Sequence, residues 1–111
     1  MTEHRDQAPE EPLLHLLEPD EKVHIQTRSI DATLAITDRR LVVATGQRVA
    51  LDIPYESLRR IQFDIERDRP ATLVLVPDRP TDQPQVLAIP PEEYERTCMA
   101  LAEIGRRLAE A

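Results

Sequence analysis

The chain has no tryptophan and only three aromatic residues, Tyr55, Phe63 and Tyr94. A core built from it must rest on Leu, Ile and Val. A single cysteine, Cys98, excludes an internal disulfide and any cysteine-based metal cluster, and fits a reducing compartment. Two glycines in 111 residues leave no phosphate-cradling loop, since Gly46 stands alone in a turn. Positive charge is in deficit: 14 Lys and Arg face 21 Asp and Glu, for a formal charge of −7 and a sequence pI near 4.9. That field repels polyanions, which makes nucleic acid and anionic membrane poor partners. No apolar run approaches the roughly 18 residues of a membrane-spanning helix. The opening residues carry no apolar signal-peptide core, so cytoplasm is the expected location. His4, His15 and His24 are scattered without an i,i+4 pair, so neither a metal site nor a cofactor is expected. Asp64, Glu66 and Asp68 read as a solvated strand edge and turn. No constellation of side chains supports catalysis, and the chain is expected not to be an enzyme.

What is present is alternation. The stretch from Asp31 to Ile53 holds three apolar runs separated by two turn signals, Thr37–Arg40 and Gly46–Gln47. Apolar residues recur every second position: Leu34 and Ile36, Leu41 and Val43, then Val49, Leu51 and Ile53. Period two places each set on one face of a strand, so this stretch predicts a three-stranded antiparallel meander. Thr37 and Asp38 can accept hydrogen bonds from nearby backbone N–H groups and hold a tight reversal. Gly46 supplies the positive φ that a two-residue hairpin turn wants.

Before the meander, residues 1–11 are polar and without period, and disorder is expected there. Pro12 with Leu13, Leu14, Leu16 and Leu17 predicts a short helix docked on the body, or a leucine patch open to a partner. Residues 22–30 alternate as a first strand, with Val23, Ile25 and Thr27 on one side and His24, Gln26 and Arg28 on the other. After the meander, Pro54 ends the ladder, and Tyr55 and Leu58 point inward from one helical turn. Residues 60–66 alternate again, with Ile61, Phe63 and Ile65 on one face. Ala71–Val76 is continuously apolar, as for a strand covered on both faces or nearly so. Residues 85–89 form a last strand.

Pro91, Glu92 and Glu93 open a helix, because proline and acids suit a first turn. Its apolar stripe is read as Tyr94, Cys98, Leu101, Ile104 or Gly105, and Leu108, which makes Cys98 a small buried hydrophobe. The whole is a mainly β chain: about seven antiparallel strands rolled into a small barrel over residues 12–111, with the amphipathic C-terminal helix plugging one end. Leu101→Asp is expected to unfold it or leave a molten state, and Arg39→Ala barely to touch stability.

Three segments carry a resemblance to the bacterial pleckstrin-homology-like (PH-like) domain family. They are Pro19-Asp20-Glu21-Lys22-Val23, then Leu34 through Val43 with Thr37-Asp38-Arg39-Arg40-Leu41 at its centre, and Ile53-Pro54-Tyr55-Glu56-Ser57-Leu58 leading to Ile61. The likeness covers roughly residues 12 to 110. It implies the small barrel with a C-terminal helix, and a tendency to form oligomers. Phosphoinositide-binding members of the wider superfamily carry a basic loop between strands one and two. The matching segment, 26–31, offers only Arg28. Leu101 stands in for the tryptophan that many eukaryotic members bury in the final helix.

The functional expectation is a non-catalytic protein-interaction or scaffold domain. It would bind a protein, a peptide or a second copy of itself through a strand edge, or in the groove between the fifth strand and the helix. A membrane-surface module reading anionic lipid head groups is the alternative. Candidate contacts for an anion or acidic peptide are Arg28, Arg39, Arg40, Arg59 and Arg60, with Arg67 and Arg69 nearby. Pairing with the plentiful carboxylates is the competing use of those arginines.

Overall fold

The computed structural model describes residues 16–46 and 48–110. The expected disorder of residues 1–11 and the helix expected from Pro12 lie outside these residues. The described residues form seven strands: β1 (Val23–Arg28), β2 (Thr33–Thr37), β3 (Leu41–Thr45), β4 (Arg48–Ile53), β5 (Leu58–Asp64), β6 (Ala71–Pro77) and β7 (Gln85–Ile89). One helix, α1 (Tyr94–Glu110), closes the chain. Every strand pairing is antiparallel, in two sheets ordered β1-β2-β3-β4 and β5-β6-β7.

The expected meander is β2-β3-β4, and its alternation builds the core. Leu34, Ile36, Leu41, Val43, Leu51 and Ile53 face Leu73, Leu75, Leu87 and Ile89 of the second sheet, with Ile104 of α1 between them. Burying one such side chain is worth about 1.5–3 kcal/mol. At the hairpin between β3 and β4, Gly46 takes φ +61 as its position demands.

Three bulges break the expected period. In β1 the register shifts at His24, so Val23 pairs with Thr37 while Ile25 pairs with Ile36. Val23 and Ile25 therefore face opposite ways, against the sequence reading. Val23 joins Ala35, Val42 and Ala44 in a second apolar layer on the outer face, where Leu16 and Leu17 pack. In β4, Ala50 is the extra residue, which turns Val49 outward to 44% exposure. In β5 the shift falls at Arg59. A bulge moves every side chain beyond it to the other face. The apolar run of β6 is nearly covered on both faces, as expected: Ala71, Leu73 and Leu75 are buried on one, while on the other Thr72 and Val74 are half-buried and Val76 is buried.

The face that α1 buries is rotated from the one expected, by roughly a fifth of a turn on the 3.6-residue wheel. Thr97, Ala100 and Ile104 are buried. Cys98 is exposed, Leu101 is half-buried and Leu108 is exposed. The reason is steric and polar. Thr97 and Ala100 are small enough to bring the helix close to β1, and the Thr97 hydroxyl sits 3.0 Å from that of Thr27. Glu93 tightens the same corner by accepting from the Thr27 hydroxyl and the Arg28 backbone N–H, both at 3.1 Å. At its far end α1 is held by Arg107, which donates to the Asp38 carbonyl at 3.2 Å and lies 5.2 Å from the centre of the Tyr55 ring. Polar clips at both ends, and not a long leucine stripe alone, seat the helix.

Candidate interaction site

The three segments quoted above for their resemblance meet in space. At the β2–β3 turn, the Thr37 hydroxyl accepts from the backbone N–H groups of Arg39 and Arg40, at 3.0 and 2.9 Å. It donates to Glu21 at 2.7 Å. The Asp38 carboxylate accepts from the Lys22 N–H at 3.0 Å, and the Asp38 N–H donates back to the Lys22 carbonyl at 2.9 Å. From inside the core, the Tyr55 hydroxyl reaches the carbonyls of Thr37 and Arg40. Burial pushes the Tyr55 phenol well above its ordinary pKa, so it remains a donor at any ordinary pH.

Arg40 ties this corner together with all three guanidinium nitrogens. It grips Glu21 at 2.8 and 2.9 Å, pairs with Asp52 across the β3–β4 hairpin, and donates to the Leu16 carbonyl at 3.0 Å. The Glu21 side chain has no exposure to solvent. Burial opposes its charge, but hydrogen bonds from Arg40, Thr37 and the Glu18 backbone outweigh that and hold the carboxyl at about 2. Arg39, beside it, pairs with Asp20 at 2.7 Å in the open. The turn is thus a fastening, and its cations are already neutralised.

The other sheet presents a different surface. β5 stands at the end of its sheet, so its outer edge has no strand partner among the described residues. Past the bulge its alternation is regular. Arg60, Gln62 and Asp64 are exposed on one face, and the Gln62 amide donates to Asp64 at 2.7 Å. Ile61 and Phe63 lie on the other face, half-buried at the margin of the core. Phe63 meets Tyr94 edge-on, with ring centres 6.0 Å apart. Leu101, seven residues along α1, shares the Tyr94 side of the helix and is half-buried too. An apolar fringe therefore flanks the free edge. Beyond Asp64 the fringe continues into a groove of about 530 Å³, bordered by Ile65, Pro70, Pro90, Pro91 and Tyr94. Ile65 is 57% exposed there, and Asp68 turns the loop with φ +66.

The five candidate arginines do not gather into one patch. Arg39 and Arg40 belong to the ion-paired corner. Arg28 ends β1 and is engaged through its backbone with Glu93. Arg59 and Arg60 lie exposed on β5 and have no ion pair among the described residues. Arg69 pairs loosely with Glu66 at 3.9 Å. Sequence reasoning found the arginines but missed Glu21 and Asp52 as their partners. Those contacts arise from strand pairing, and a local pattern gives no sign of them. Among the described residues no three His, Cys, Asp or Glu converge as a metal site.

With this geometry established, the comparison with solved structures is informative. The chain superposes on the crystal structure of a pleckstrin homology domain from Shewanella amazonensis SB2B with a TM-score of 0.60. The match covers 85% of this chain and 89% of that one at 19% identity. The fold is PH-like. Seven strands in two sheets with one terminal helix are thereby accounted for, and the resemblance first seen in three short segments extends to the whole architecture. No protein-family model matches the sequence, and no curated protein does. No helix among the described residues is long and apolar enough to cross a membrane.

Proposed function

We propose that this PH-like domain is a non-catalytic protein-interaction module that takes up an extended protein segment along β5. The observation that carries this reading is the unpartnered edge of β5 beside a half-buried apolar fringe. Backbone groups of an edge strand supply hydrogen bonds to an added strand, and the flanking side chains supply selectivity. Ile61, Phe63, Tyr94 and Leu101 offer apolar contact on one side, and the groove at Ile65 can receive a larger side chain. Arg59 and Arg60 favour carboxylates on the incoming segment.

The lipid reading draws less support. Arg39 and Arg40 are committed to Asp20, Glu21 and Asp52, and the chain carries a net charge of −7. Selection of random ten-residue peptides against the folded domain tests the proposal. Enriched peptides should protect β5 amides from hydrogen exchange. Peptides that protect only other surfaces, or sedimentation of the domain with anionic liposomes in place of peptide binding, overturn it.

A further inference from the structure

The two sheets differ in how their outer faces are finished. Residues directly opposite in an antiparallel ladder share a face. The first sheet therefore carries three outward rows: Val23 with Thr37, Ala35 with Val42, and Thr33 with Ala44. None of these six side chains is more than 7% exposed. On the second sheet the outward Val86, opposite Val74, is 68% exposed. One outer face is shielded from water and the other is open.

Among the described residues, Leu16 and Leu17 pack on the shielded layer, and both are only partly buried themselves. They belong to one end of it. The Leu16 carbonyl accepts from the Arg40 guanidinium at 3.0 Å, which pins the chain beside the β2–β3 turn. Thr33 lies four residues along β2 from Thr37, about 13 Å away at the rise of a strand. Ala44 stands opposite Thr33. Two leucines held at the Arg40 end leave the far row to another group.

The chain ahead of Leu16 is the group within reach. Leu13 and Leu14 repeat the Leu16–Leu17 pair three residues earlier. Three residues advance about 4.5 Å when coiled and about 10 Å when extended. Either course carries two more leucines from the Arg40 end toward Thr33 and Ala44. Ala35 and Ala44 are small, so the sheet beneath offers shallow seats that large side chains fill to interior density. Charge agrees with this direction. Arg28 stands opposite Thr33 at the far row, where Glu10 and Glu11 of the same segment arrive.

We infer that residues 12–15 fold back over the outer face of the first sheet and seat Leu13 and Leu14 on the row of Thr33 and Ala44. The leucine run is then a built-in cover of the domain and not a patch held open for a partner. A face already shielded within one chain leaves no room there for a second protein. This assignment is independent of the reading of β5, which lies on the other sheet.

Nuclear Overhauser contacts in the full chain, with Leu, Val and Ala methyl groups labelled, test it. The Leu13 and Leu14 methyls should show contacts to Ala44 and to Ala35 or Val42, unchanged on dilution. Contacts to that layer from Leu16 and Leu17 alone overturn the inference. So do Leu13 and Leu14 contacts that arise between differently labelled chains, since the cover then comes from another copy. Leu13→Asp combined with Leu14→Asp should lower the melting temperature by at least about 10 °C and speed amide exchange in β2 and β3. A double variant that melts as the wild type does also overturns it. Should that variant fail to fold, the methyl contacts of the wild type decide the matter.

Discussion

Two arginine pairs in this molecule, Arg39-Arg40 and Arg59-Arg60, look alike in sequence and have opposite surroundings. Arg40 immediately precedes β3, where the hairpin delivers Asp52 and the entry to β1 delivers Glu21. It is 20% exposed, and its carboxylate partner Glu21 not at all. Arg60 sits on a strand paired along one edge only, and no carboxylate reaches it among the described residues. A cation's surroundings are thus decided by what its neighbours across the sheet contribute: Arg40 is built into a buried ion pair, while Arg59 and Arg60 have no carboxylate partner among the described residues.

The sharpest break in that comparison comes from Arg40→Ala. It strands the Glu21 carboxylate in the interior, and removing one member of a buried pair costs about 3 kcal/mol or more. Chemical denaturation should show the midpoint fall accordingly. Acid probes the same contact. The Glu21 carboxyl is depressed from an ordinary 4.5 to about 2 in the folded protein. Its stabilisation is therefore complete above pH 4.5 and is lost as pH falls toward 2. Melting temperature should drop through that window, and Glu21→Gln should flatten the drop while lowering stability near neutrality.

Smaller effects follow in order. Leu101→Asp places a charge at the half-buried shoulder of α1 and should cost about 2 kcal/mol, measured by denaturation. That is milder than the unfolding expected when Leu101 was read as fully buried. Tyr55→Phe removes the hydroxyl that reaches the Thr37 and Arg40 carbonyls, and should cost about 1.5 kcal/mol. Arg39→Ala and Arg60→Ala should each stay within about 0.5 kcal/mol of wild type, because exposed charges contribute little. A large loss from Arg60→Ala would erase the distinction between the two pairs.

Much of the architecture was legible in the chain because a strand covered on one face must alternate. The meander, the inward Tyr55 and Leu58, the alternation of β5 and the acidic start of the last helix all follow from local spacing. The bulges at His24, Ala50 and Arg59 do not, because one extra residue leaves no compositional mark yet reverses what lies beyond it. The helix face was misjudged for a related reason. Apolarity favoured Cys98 and Leu108, whereas close packing on β1 favoured the smaller Thr97 and Ala100. At the candidate site, sequence supplied the arginines and the apolar row. Which strand ends its sheet, and which carboxylate meets which guanidinium, depends on pairing between segments far apart in the chain.

Amide hydrogen exchange, followed with and without a selected peptide, tests the contrast most directly. The account predicts that β5 amides slow when the peptide is supplied, while those of Arg39 and Arg40 keep the rate set by global unfolding. Unchanged β5 amides, with slowing confined to β1, β7 or the Thr37–Arg40 corner, would contradict it.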